Sequence, residues 1–124
     1  MRAMQRRTFR RIRSAGSAGY HHHVYVVLLN SDAARLPEVR AANPRRDPKK
    51  PCLYVGMTGL TPEERFANHR QGLKAARAVQ LYGIRLVPEL YAHFNPMPFE
   101  AALVMERELA EDLRKQGFTV AGGH

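Results

Sequence analysis

Glu106 is the residue whose position packing explains least. On a helix turning 100° per residue, Phe99, Ala102, Leu103, Leu109, Ala110 and Leu113 form one apolar stripe, and Glu106 falls in its middle, about 20° from Phe99. A carboxylate aimed at a core is costly unless it is paired or coordinates a cation. An arginine from another helix would satisfy it; so would a hard divalent ion such as Mg²⁺, whose natural ligands are carboxylate oxygens. Arg65 and His69 stand four residues apart, so a helix presents them on one face beside Phe66 and Leu73. Tyr25 shares a strand face with Val27 and Leu29, and Tyr54 shares one with Cys52 and Gly56. Taken singly, these are a surface charge, a boundary histidine and two tyrosines that keep their hydroxyls hydrogen-bonded.

The elements that would position these groups are mostly legible. His23 to Leu29 is an unbroken apolar and β-branched run, the pattern of a strand buried on both faces. Residues 30–51 lose all periodicity and hold Pro37, Pro44, Pro48 and Pro51, which predicts a long loop, mobile or functional. Cys52 to Gly56 predicts a second strand. Thr61-Pro62-Glu63-Glu64 is a helix start, with Thr at the N-cap, Pro at the first helical position and Glu three residues after the cap. That helix reaches Gln71, where Gly72 breaks it ahead of a second helical piece around Leu73–Tyr82. Pro88 to Phe94 reads as a third strand, and Phe99 to Lys115 as a helix stopped by Gly117. Phe118 to Val120 could add a short last strand. The expected class is α/β, of the α+β type, with a small three-stranded mixed or antiparallel sheet flanked by helices.

The 124 residues carry a net charge of +9, unevenly spread. Residues 1–13 hold six arginines and no acid; residues 14–88 are net +6 and residues 89–124 net −3. Residues 1–19 therefore read as a basic arm and Ser/Ala/Gly linker, and residues 20–124 as one domain. The arm could be a solubilising tail as readily as a phosphate-binding one. The positive surplus points to a polyanionic partner, nucleic acid before membrane. Arg45, Arg46, Lys49 and Lys50 in the long loop, with Arg70, Lys74 and Arg77 along the face of Arg65, are the candidate phosphate contacts, although a solvated helix face accounts for the last three nearly as well. No apolar run approaches the ~20 residues of a membrane span, no secretory signal follows the arginines, and the lone Cys52 suits a reducing compartment, so a soluble, cytoplasmic protein is expected. Cys52 reads as a small core residue, and the His21-His22-His23 run as a polar strand edge.

Taken together, these residues resemble the GIY-YIG endonuclease family from about Tyr20 to Gly117. Val24-Tyr25 stands where the family has the Ile-Tyr of its first motif, with His23 in place of the glycine; Tyr54-Val55-Gly56 matches the second motif with Val for Ile. Arg65 and His69 are similar to the family's arginine and the His or Tyr four residues later, and Ala102-Leu103-Val104-Met105-Glu106 to the segment that carries its metal-binding carboxylate. The resemblance implies hydrolysis of a phosphodiester bond in nucleic acid, DNA before RNA. It implies catalytic roles for Tyr25, Tyr54, Arg65, His69 and Glu106, and one Mg²⁺ or Mn²⁺ ion at Glu106. Arg65 would stabilise charge on the phosphorus. Tyr25, its pKa depressed by the cation and Arg65, is the favoured proton acceptor, with His69 and Tyr54 as the other candidates. A domain this small would draw its specificity from the arm, the 30–51 loop, a second copy or a targeting partner. A non-catalytic nucleic-acid-binding module of the same fold is the alternative.

Overall fold

The computed structural model describes residues 19–124; the arginine arm, up to residue 18, lies outside them. The first strand, β1 (His23–Leu29), runs through the middle of a four-stranded sheet. Its residues Val24 to Val27 are fully buried, as an uninterrupted β-branched run requires. It pairs antiparallel with β2 (Cys52–Thr58), Tyr25 opposite Gly56 and Val27 opposite Tyr54. On its other side lies β3 (Gly83–Leu86), also antiparallel, and β4 (Thr119–Gly122) runs parallel to β2. The order is β3-β1-β2-β4, so the mixed α/β class holds and the sheet has one strand more than three.

Three segments differ from expectation. The 30–51 stretch is not a structureless loop: it forms a 3₁₀ helix over Ser31–Arg35 and α1 (Pro37–Ala42), with Pro37 at a first helical position that needs no N–H. Both are too short to leave a periodic trace. Pro88 to Phe94 is not a strand but two 3₁₀ turns, Pro88–Leu90 and Ala92–Phe94, which still bury Tyr91 and Phe94. The third strand lies just upstream, in β3. The helical piece before it is α3 (Arg77–Tyr82), shorter than the Leu73–Tyr82 expected.

α2 (Pro62–Gln71) starts as the sequence dictates. Thr61 Oγ1 accepts the Glu64 N–H at 3.1 Å, and Glu64 Oε1 accepts the Thr61 N–H at 3.0 Å. Gly72 ends it at φ +79°, a conformation that favours glycine. The last helix, α4 (Phe99–Lys115), packs along β1, β2 and β4, and α2 lies over β1 and β3. Two asparagines extend the sheet's ladders beyond its strands. Asn95 bonds both the N–H and the C=O of Val24, at 2.9 and 2.7 Å, and Asn43 does the same for Val120, at 2.8 Å each. Backbone groups that would otherwise end unpaired are thereby satisfied.

Candidate active site

Strand register creates the first part of the site. Because Tyr25 faces Gly56 across the ladder, its phenol folds over a position with no side chain; a Cβ there would meet Tyr25 Oη at 2.6 Å and Tyr54 Cε1 at 2.9 Å. Gly122 does the same for the other ring, where a Cβ would meet Tyr54 Cε2 at 2.8 Å. The two phenols consequently sit 6.1 Å apart, centre to centre, each against the ring of His69, at 6.0 Å from Tyr25 and 5.7 Å from Tyr54.

α2 delivers His69 and Arg65. His69 is fully buried, and its ring is bonded at both nitrogens: Nδ1 accepts the Ala76 N–H at 3.0 Å, and Nε2 lies 2.8 Å from Tyr25 Oη. An Nδ1 that accepts leaves the proton on Nε2, so the neutral imidazole donates to the tyrosine oxygen. Burial first and the Arg65 charge second press the His69 pKa down to about 4, which keeps this neutral form in place. One face of the Arg65 guanidinium is anchored, Nη1 to Leu73 O at 3.2 Å and Nη2 to Lys74 O at 2.8 Å, folding the segment after α2 back on the helix. The same guanidinium stands against Tyr25 and favours its ionised form. Burial nevertheless outweighs Arg65, and the Tyr25 pKa lies above that of a free phenol, not below it as Arg65 alone suggests. Tyr54 is also raised, by burial first and by Glu106 next.

Glu106 occupies a different position from the one its helical phase suggests. Phe99 and Leu103 are 47% and 41% exposed, and the buried stripe of α4 runs instead through Ala101, Ala102, Met105, Leu109, Ala110 and Leu113. Counting Phe99 and Leu103 as core shifted the stripe's centre; Glu106 lies half-buried at its rim. There the sheet opens. β4 stops pairing with β2 at Gly122, Gly123 N–H donates to Val55 O at 2.9 Å, and the next outward N–H on that side, Met57, stands beside the Glu106 carboxylate. Burial raises the Glu106 pKa to about 7, with the Met57 N–H and then Arg107 acting against it. Among the described residues no three His, Cys, Asp or Glu side chains group to cage a metal. A half-buried carboxylate suits one hard ion whose other ligands are water and phosphate, since Mg²⁺ is often held by one or two carboxylates.

The basic candidates fall into separate groups. Arg77 lines a cleft of about 230 Å³ that reaches Tyr54. Arg70 stacks on Phe66, 4.8 Å from the ring centre, and donates to Ile84 O at 2.9 Å. Lys74, in a left-handed conformation at φ 49°, lends its carbonyl to Arg65. Arg45 and Arg46 line a second cleft, and Lys49 is exposed nearby. The Lys50 ammonium bonds Gln116 O and lies 5.2 Å over Phe118. Arg114, which borders both clefts, was not legible as a site residue because a cation in a helix's last turn is ordinarily accounted for by the helix dipole. Among the described residues, no helix is long and apolar enough to cross a membrane. The chain matches no family model, no curated protein and no solved structure in the three comparisons made.

Proposed function

We propose that this protein is a metal-dependent endonuclease of the GIY-YIG kind, hydrolysing phosphodiester bonds in nucleic acid, DNA before RNA, in the cytoplasm. The observation that carries the reading is the meeting of Tyr25, Tyr54, Arg65 and His69 around one buried hydrogen bond, with Glu106 acting electrostatically on Tyr54. Glu106 would hold one Mg²⁺ or Mn²⁺ ion, and such an ion supplies charge neutralisation at the phosphate and leaving oxygens. The rest falls to the protein's own groups. Arg65 offers guanidinium donors to the charge that builds on the phosphoryl oxygens. Tyr25 is the proton acceptor for the attacking water once it is ionised, and both His69 Nε2–H and Arg65 favour the phenolate against the cost of burial. Tyr54, its ring 6.1 Å from that of Tyr25, would offer the proton a route out.

The direct test incubates the purified protein with labelled branched, nicked and linear DNA and with RNA, in Mg²⁺ or Mn²⁺. Wild type should cleave at least one substrate and Glu106→Ala none; equal behaviour of the two on every substrate removes the enzymatic reading. Two observations favour the alternative of a non-catalytic nucleic-acid-binding module: Arg65 already donates to two backbone carbonyls, and Tyr25 holds its proton firmly. That module would bind nucleic acid in a salt-dependent way and cleave nothing.

A further inference from the structure

The cleft between residues 42–46 and the last turn of α4, about 250 Å³ in volume, is lined by Arg45, Arg46, Arg114 and Lys115, together with Asn43 and Phe118, and by no acid. Four cations on one concave wall repel one another unless an anion sits among them. Arg114 is the fixed member. Its Nη2 donates to Val120 O and Gly122 O, both at 3.1 Å, and its Nε–H is buried without a partner among the described residues. This guanidinium also forms part of the wall of the neighbouring cleft, which runs past Arg77 and His124 to Tyr54 and has Glu38 as its one acidic lining residue. The two clefts therefore share Arg114 in their walls, and a run of cationic side chains extends from the cleft at Tyr54 to Arg45 and Arg46.

We propose that this path binds the sugar-phosphate backbone of the nucleic-acid strand next to the bond being cleaved, with Arg45, Arg46 and Lys115 as its outer phosphate contacts. The proposal rests on the nuclease reading for what the path leads to, but not for the binding itself. Arg114 and the buried Asn43 position the wall, and the exposed Arg45 and Lys115, with the half-buried Arg46, contact phosphate without reading bases. Neutralised phosphates release counterions, so each contact steepens the salt dependence of binding.

The test measures anisotropy of labelled single-stranded and duplex DNA with the full chain carrying Glu106→Gln, across a NaCl series. Adding Arg45→Glu and Arg46→Glu should weaken binding at least tenfold and reduce the log–log salt slope by about one to two. The control carries Arg35→Glu and Arg85→Glu, the same change in charge on exposed residues outside the cleft, and should retain most of the affinity. Circular dichroism and melting temperature confirm that each variant folds, and Lys115→Glu alone should show a smaller loss in the same direction. Inorganic phosphate at tens of millimolar should compete weakly; competition as strong as that of an oligonucleotide would mean a site for a free phosphate ion and overturn the proposal. Unchanged binding in the cleft variant, or equal weakening in the control, also overturns it. Cleavage by wild type with unchanged binding in the cleft variant defeats this inference alone, whereas a cleft-specific loss with no cleavage of any substrate defeats the nuclease reading alone.

Discussion

His69 donates its Nε2 proton to the hydroxyl oxygen of Tyr25 at 2.8 Å because the Ala76 N–H occupies its other nitrogen. The imidazole is thus a hydrogen-bond donor toward Tyr25 and cannot also take the tyrosine's proton while neutral. In the proposed reaction it acts through Tyr25 rather than on the water. His69→Gln removes the fixed ring and should lower kcat by about 10²-fold or more, the scale of a misplaced acid–base group, with KM for DNA nearly unchanged. His69→Gln activity within a few-fold of wild type would show that the bond serves packing only.

Gly56 is the residue on which the tyrosine geometry depends most directly. A methyl group there would overlap Tyr25 at Oη and Cζ, 2.6 and 2.7 Å away, and both atoms belong to a rigid ring buried on all sides. The ring cannot swing away without vacating its contact with His69. Gly56→Ala is therefore expected to cost about 1–3 kcal/mol of stability, the range of an overpacked core, and to abolish cleavage even under conditions where the protein stays folded. Urea denaturation and the DNA assay check the two halves separately, and Gly56→Ala activity equal to wild type would remove the requirement for the close approach.

Two ionisable groups of the site, His69 and Glu106, pull stability in opposite directions near neutral pH. Unfolded, a histidine binds its proton below pH 6.5; folded, His69 binds one only below about 4, so between those values the unfolded state holds more protons and stability rises with pH. Glu106 does the reverse. Its folded carboxyl keeps a proton up to about pH 7 against 4.5 for the ordinary group, so stability falls as pH rises through that window. From about 4.5 to 6.5 the contributions oppose, and the wild-type profile should be shallow there. Glu106→Gln should expose the rising limb and His69→Gln the falling one, in urea midpoints measured from pH 4 to 8. Mg²⁺ should flatten the falling limb by favouring the carboxylate. Variants that leave the wild-type slope unchanged would show that neither group titrates as described.

How much of this was legible depends on the length scale of the signal. The α2 start was written locally, in Thr61, Pro62 and Glu64, and it appears residue for residue. β1 and α4 carry long, unbroken patterns and were found with their bounds intact. The 3₁₀ turn and α1 at Ser31–Ala42, and the turns at Pro88–Phe94, are one or two turns long, so their conformation is set by tertiary contacts such as the burial of Ala33, Tyr91 and Phe94 rather than by period. Glu106 was singled out on a stripe whose centre is rotated away from that of the buried one, because Phe99 and Leu103 are apolar yet exposed. The meeting of Tyr25 with His69 is a contact across 44 residues, and nothing in the chain's local pattern encodes it. Only the resemblance to the GIY-YIG family, taken over the whole domain, implied it.

Asn43 and Asn95 show how a small sheet with two free edges stays closed. Each presents an amide parallel to a strand and exchanges two hydrogen bonds with one residue, Val120 or Val24, replacing a missing neighbour. Asn43 is buried and also donates to Val39 O, tying α1 to β4. Asn43→Ala strands the Val120 N–H and C=O away from water and should cost about 1–3 kcal/mol. Asn43→Asp keeps the acceptor for the Val120 N–H but sets carboxylate oxygens against the Val39 and Val120 carbonyls, so it should destabilise at least as much at neutral pH and recover part of the loss as pH falls and the acid protonates. Because β4 ends beside Glu106, both substitutions should also raise hydrogen exchange at Gly122 and Gly123, where Gly123 N–H is held by Val55 O. Protection at Gly123 identical to wild type in Asn43→Ala would show that β4 is held by β2 and α4 alone.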